Sequence, residues 1–479
     1  MYGNIGMSRR VSDTTSYIPP WTEPYIIGVA GNSGSGKTSV SQQIISEINQ
    51  PWTVLLSFDN FYNPLTPEER KLAFDNNFDF DTPESMDLDL LVETVKKLKR
   101  GERTNIPIYS FVHHNRTDKS TSIYGANVII IEGIYALYDS RLRDLMDLKI
   151  YVDTDLDICL ARRLTRDILY RGRNLEGAMK QWQRFVKPNA VRYVQPTMNN
   201  ADLVIPRGLD NTVAIDLMIQ HVQKQLHLKS INHINHLKAL GKNITLKVDE
   251  CPNIQFLPSN NQSKGINSIL FNESTSMGDF IFYFDRISSL LIEAACNAFI
   301  QDFDPVQLST ATTQFTGLRQ TQTLAAVSII RSGDCFMTSI KRTFRDIPIG
   351  KLLIQSDSAT GEPKLHYESL PKELFSKAEK KKILTFDSQI ISGAAAIMTI
   401  QILIDHNIKQ EDIVIVTYLC TELGLRRLMH AFPRVNIMIG KLSCMEISGT
   451  AKRYNEENFK DSYWHFRNRF IDNIYFGTN

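Results

Sequence analysis

Apolar and polar positions in the first half of the chain alternate between two periods. Residues 25–30 form an unbroken apolar run, and after a short polar loop Val40, Ile44, Ile45 and Ile48 recur at helical spacing. The exchange then repeats. Residues 53–57, 128–131, 148–152 and 202–205 read as short apolar strands, while Leu88, Leu91, Val95 and Leu98, a stretch from Leu156, and residues 212–225 read as helices. Strands apolar along their whole length, alternating with amphipathic helices, predict a mostly parallel sheet covered on both faces.

The second half carries its own set of signals. Residues 279–298 predict a long amphipathic helix, and 326–330, 350–354, 383–386, 413–416 and 435–439 predict strands. Between the halves the composition turns to His, Asn and Lys. His227, His233 and His236 lie close together there, but no carboxylate or cysteine falls at ligand spacing, so the stretch reads as a solvated linker. The expected organisation is a disordered tail over 1–24, an α/β domain over 25–225, a linker over 226–247 and a second α/β domain over 248–479.

The chemistry concentrates at strand ends. The first strand runs into Gly31, Asn32, Ser33, Gly34, Ser35, Gly36, Lys37 and Thr38, a phosphate-binding loop in the right context of strand and helix. Its glycines let backbone N–H groups converge on phosphate oxygens, Lys37 adds positive charge, and Thr38 offers a hydroxyl to magnesium. A nucleoside triphosphate is the implied ligand. The second strand delivers Asp59, a candidate general base for an attacking hydroxyl that could also touch the metal's water shell, although a turn or N-cap aspartate fits the position too. The strand at 128–131 ends on Glu132, a candidate magnesium contact. Arg162, Arg163 and Arg166, followed by Arg171, Gly172 and Arg173, suit a closing lid over a transferring phosphoryl group; a solvated face paired with Asp155, Asp157 and Asp167 is the alternative. Asp81 lies in an acidic loop with Phe78 and Phe80, where acceptors suit sugar hydroxyls and aromatics suit a flat base.

Bulk properties narrow the setting. With 54 basic and 52 acidic residues there is no global field for nucleic acid or an anionic membrane. No apolar run approaches the roughly 18 residues of a membrane span, and residues 1–24 lack an apolar signal core. Six scattered cysteines without a C-x-x-C pair read as reduced thiols, so a cytoplasmic protein is expected. Ser12, after Arg9 and Arg10, matches a basophilic kinase site, but a tail without that role is the favoured reading. No Asn-Lys-x-Asp signature follows the phosphate loop, which argues against a GTPase switch.

Taken together, residues 31–38, 57–62, 78–83, 108–109, Glu132-Gly133, 162–173 and 205–208 resemble the uridine/cytidine kinases. The resemblance implies transfer of the γ-phosphoryl of ATP or GTP, with Mg²⁺, to the 5′-hydroxyl of uridine or cytidine in pyrimidine salvage. It puts Asp59 as the base, Asp81 and Arg166 near the ribose, Tyr109 and His114 at the base ring, and Gln181 on the nucleoside side. It gives Arg163, Arg171 and Arg173 to the lid and phosphates. Ser110 stands where the family usually has aspartate. A homo-oligomer is expected.

The second half resembles the uracil phosphoribosyltransferases through residues 330–333, 349–354, 360–363, 370–371 and 475–478. Two departures weaken it. Ala394 replaces a glycine in the phosphate turn, expected to cost about 1 kcal/mol at a positive-φ position. Asp472-Asn473-Ile474 replaces the Gly-Asp-Arg of the uracil-reading loop. The chain therefore resembles a two-domain uridine kinase whose second domain is silent or regulatory. Rival readings are a bifunctional kinase and transferase, a kinase of another small alcohol, and a nucleotide-binding scaffold.

Overall fold

The computed structural model describes residues 17–172, 174–242, 246, 248–357, 360–375, 381–443 and 470–478. Contacts divide the chain into two compact units, Pro19–Asn232, and His233–Asn479 with Met1–Ile18.

In the first of these, the chain runs β1 (Tyr25–Gly31), α1 (Lys37–Ile48), β2 (Thr53–Ser57), α2 (Pro67–Phe74), α3 (Leu88–Lys99), β3 (Thr104–Ser110), β4 (Asn115–Ile123) and β5 (Val128–Glu132). It continues through α4 (Ser140–Arg143), β6 (Leu148–Asp153), α5 (Leu156–Arg171), α6 (Leu175–Gln181), α7 (Lys187–Asn189), β7 (Leu203–Pro206) and the start of α8 (Thr212–Ala239). The main sheet has the order β2-β5-β1-β6-β7 and every pairing is parallel. Side chains two apart on a strand share a face. Accordingly Ile26, Ile129 and Ile131 pack with Leu91 and Val95 of α3, while Ile27, Val29 and Ile130 pack with Val40 of α1 and Ile215 of α8. Both faces are dry, which is why these strands lack polar alternation.

β3 and β4 form an antiparallel hairpin outside that sheet. Most of β4 is polar and exposed, so no apolar period announced it. Two π-helical turns, Trp182–Val186 and Ala190–Val194, flank α7. The expected linker is different too: α8 continues to Ala239, because Leu226 and Leu237 are buried and extend its apolar stripe. His233 is buried within this helix, with Nδ1 2.7 Å from Glu362 and Nε2 3.0 Å from the Tyr17 hydroxyl, partners that local ligand spacing could not reveal.

The second unit contains β8 (Ile254–Phe256), α9 (Asn261–Leu270), α10 (Met277–Phe299), β9 (Phe303–Ser309), β10 (Gln314–Gln320), β11 (Thr323–Ile330), α11 (Met337–Thr343), β12 (Ile349–Ser356) and β13 (Pro363–Ser369). β14 (Lys381–Phe386), β15 (Gln389–Ile390), α12 (Ala394–Asp405), β16 (Ile413–Thr421), α13 (Glu422–Ala431), β17 (Asn436–Ser443) and α14 (Phe470–Phe476) complete it. Its sheet runs β13-β12-β11-β14-β16-β17-β8, parallel except for the antiparallel edge strand β13. The apolar face of α10, with Phe280, Phe284 and Leu291, packs on Phe386, Val414 and Val416. α/β folding in both halves follows the strand and helix pattern of the sequence.

One expected strain is absent. The positive-φ residue of the second phosphate turn is Gly393, at φ +79°, whereas Ala394 is the first residue of α12 and has no positive φ. The glycine that the turn needs is present one position earlier, so the alanine costs nothing there.

Candidate active site

The carboxyl ends of β1, β2 and β5 bring the phosphate loop, Asp59 and Glu132 to one edge of the first sheet. Gly34 and Gly36 hold φ of +89° and +95°, a region that favours glycine. A Cβ on Gly34 would lie 2.4 Å from the Cys159 carbonyl oxygen, so the loop can take this path only without a side chain there. Lys37, buried at the start of α1, donates from Nζ to the Asn32 carbonyl at 2.9 Å. Burial lowers its pKa, and the nearby Glu132 and Asp59 carboxylates pull the other way. Thr38 Oγ1 lies 3.3 Å from Glu132 Oε2, and Ser57 Oγ donates to Glu132 Oε1 at 2.9 Å. Two carboxylates, Asp59 and Glu132, with the Thr38 hydroxyl fit the oxygen-rich donor set that magnesium takes when phosphates and water complete its shell.

Beside the loop lies a pocket partly open to solvent. Asp59, Asp81, Tyr109, His114, Arg163, Arg166 and Gln181 all line it, together with Ser33 of the phosphate loop. One wall is aromatic. Phe80 stacks on His114 with centroids 5.4 Å apart and 24° between planes, Phe78 meets Phe80 edge-on at 4.8 Å, and Tyr62 packs on Tyr109 at 5.0 Å. His114 holds a left-handed backbone, φ +48°, just before β4. Burial raises the Tyr62 hydroxyl pKa well above its usual value, and Asp59 and Asp81 add to the effect, so it stays a neutral hydrogen-bonding group.

Other lining residues are cationic. Arg163 donates to Ser33 Oγ at 2.9 Å, lies 3.5 Å from Asp81 and 3.6 Å from the buried Asp167. Arg166 lies 2.9 Å from the same Asp167, so one carboxylate orients both guanidinium groups. Arg162 reaches the Ser35 carbonyl at 3.5 Å and Asp210 at 3.8 Å. Thus α5 is partly ion-paired, through Asp167 and Asp210, and still presents Arg163 and Arg166 to the pocket. α5 ends on Gly172, whose φ of +65° makes it a left-handed helix C-cap. Nothing is described of the Arg171 side chain, and Arg173 lies outside the described residues, as does Ser12.

Sequence reasoning missed Tyr62, Phe111, Ile134 and Phe185 as lining residues. Tyr62 lies inside the segment 57–62 already singled out and Phe111 two residues after Tyr109; Phe185 lies in a π-turn, a departure from the helical period that no spacing rule anticipates.

A phosphate loop, a strand-end carboxylate, a cationic helix and an aromatic pocket define a small-molecule phosphotransferase of the P-loop class. Residues 26–214 match the Phosphoribulokinase / Uridine kinase family, and residues 257–445 match Uracil phosphoribosyltransferase. A Uridine kinase of Saccharomyces cerevisiae is 50% identical, covering 100% of this chain and 94% of its own length. A Uridine kinase of Schizosaccharomyces pombe is 38% identical over 90% of this chain and 93% of its own, and the Uridine-cytidine kinase-like 1 of Mus musculus is 41% identical over 90% and 79%. The chain belongs to the uridine kinase family.

In the second unit, the loop after β14 is closed on itself. Ser332 donates to the buried Asp387 and is 2.6 Å from Ser388 Oγ, and the Ser388 N–H donates back to Ser332 at 3.0 Å. Arg331 donates to Asp472 at 3.0 Å, to Thr478 at 2.9 Å and to Asn473. Asp472 and Asn473 of α14, with Thr478 beyond it, therefore hold an arginine.

Proposed function

We propose that the first unit phosphorylates the 5′-hydroxyl of uridine or cytidine with the γ-phosphoryl of ATP or GTP, giving the nucleoside monophosphate. The observation that carries this reading is that Ser33 of the phosphate loop, Asp59 and the Phe80–His114 stack line one pocket together. Asp59 would take the proton of the 5′-hydroxyl as its oxygen attacks the γ-phosphorus; the bond to the β-phosphate oxygen breaks and the nucleoside diphosphate leaves. Lys37, Arg163 and Arg166, with Arg171 and Arg173, would offset charge on the transferring group. Asp81 and Arg166 would hold the ribose, and Tyr109, His114 and Gln181 the base, whose pocket admits a pyrimidine ring more readily than a purine. Thr38, Asp59 and Glu132 would hold Mg²⁺, which supplies charge neutralisation at the phosphates.

The self-paired Ser332, Asp387 and Arg331 support a second unit without transferase activity, serving assembly or regulation. Thiols outside any disulfide at Cys159, Cys296, Cys335 and Cys420 support a reducing, cytoplasmic setting. No described helix is long and apolar enough to cross a membrane. A homo-oligomer completes the reading, and light scattering at the mass of a single chain would remove that part. The central test is a donor-by-acceptor matrix with the full chain. Turnover confined to uridine and cytidine is expected; equal turnover of purine nucleosides or of unrelated alcohols would overturn the assignment.

A further inference from the structure

Asp81 is held at several atoms. Its N–H donates to Asp79 Oδ1 at 3.0 Å, its carbonyl accepts from the Tyr135 hydroxyl, and its carboxylate faces Arg163 at 3.5 Å. The first of these restraints has its own support. The Asn189 amide nitrogen lies 3.0 and 2.9 Å from the two Asp79 oxygens, so one side chain orients the carboxylate that caps Asp81. Asn189 is buried, and it closes the short α7 between the two π-turns. Such turns widen the backbone at one point of a helix and commonly accompany functional positions. Here they flank a side chain that reaches a loop 110 residues away in sequence.

We infer that Asn189 and Asp79 form a positioning pair that sets Asp81 against the ribose hydroxyls, so that this pair governs the choice of ribose over 2′-deoxyribose. The inference rests on the nucleoside kinase reading above. Neither residue lines the pocket, so the pair acts through Asp81 and touches no substrate. A carboxylate whose donors are fixed in number and direction is a poor partner for a sugar that lacks a hydroxyl, because an acceptor is left unmatched. Burial pushes the Asp79 carboxyl up, while hydrogen bonds from Asn189 and from the Asp81 N–H pull it back, in keeping with a carboxylate that depends on these two donors.

The test uses the full chain and its Asn189→Ala, Asp79→Asn and Asp79→Asn/Asn189→Asp variants, assayed on uridine and 2′-deoxyuridine with ATP. For Asn189→Ala, kcat/KM for uridine is expected to fall about tenfold, the scale of a lost hydrogen bond to a charged group. The 2′-deoxyuridine value and the ATP KM should stay within about twofold, narrowing the ratio between sugars. The double variant, which rebuilds the amide–carboxylate pair in reverse, should recover part of the loss. If Asn189→Ala fails to fold, Asp79→Asn keeps an acceptor for the Asp81 N–H and must show the same narrowing in smaller degree. Equal losses on both sugars, or an unchanged ratio, would overturn the pair's role. A wild-type chain inactive on uridine would instead sink the functional reading and the pair with it.

Discussion

Both units end a strand in a loop that turns through glycine into a helix, and the groups around the two loops are arranged differently. Gly34 and Gly393 both hold positive φ, and a Cβ on either would press on a backbone carbonyl oxygen, at 2.4 Å from Cys159 and 2.8 Å from Gly424. The backbone device is the same. Around the first loop, however, Asp59 and Arg163 line an aromatic pocket, and the Glu132 and Asp59 carboxylates act on Lys37. Around the second, Ser332, Asp387 and Ser388 bond one another, and Arg331 is taken by Asp472, Asn473 and Thr478. A phosphate-shaped turn is a permissive feature; the side chains that remain directed at a ligand decide whether it is used.

That contrast can be broken most sharply at Asp59. Asp59→Asn should cut uridine turnover by about a thousandfold, within the range general bases contribute, while nucleoside binding measured by calorimetry persists. Turnover within tenfold of wild type would remove Asp59 as the base. Gly34→Ala should lower kcat/KM by at least about a hundredfold, since the loop must move by a large fraction of an ångström, and ATP binding should weaken with it. The matching change in the other loop, Gly393→Ala, should leave uridine kinetics intact and cost the second unit about 1–2 kcal/mol in denaturant unfolding. If the two substitutions affect kinase activity alike, the separation of roles fails. Phe80→Ala should raise the uridine KM about tenfold through lost stacking area, with the ATP KM unchanged. Smallest of all, Arg331→Ala should leave kinase turnover unaltered, with destabilisation of the second unit as its measurable trace, because Asp472 is buried and loses its cation.

Much of the first unit was legible in the sequence. Continuous apolar strands, the Gly31–Thr38 loop and the strand-end acids Asp59 and Glu132 follow from period and position, and these are local signals. The illegible parts depend on partners far along the chain or on broken periods. His233 was placed in a linker because its partners, Tyr17 and Glu362, lie 216 and 129 residues away. Asn189 carried no motif, and the π-turns beside it have no spacing signature. β4 offered only polar residues to read. For Ala394, residue type was right as an alarm and wrong by one position, since strain depends on φ and φ is decided by the turn around Gly393.

The central claim is that catalysis belongs to the first loop and not to the second. The direct measurement follows labelled uridine monophosphate from two reactions, uridine with ATP and uracil with phosphoribosyl diphosphate, using the full chain and its Lys37→Ala variant. The account predicts product from uridine alone, abolished by Lys37→Ala. Uridine monophosphate formed from uracil, or uridine phosphorylation that survives loss of Lys37, would contradict it.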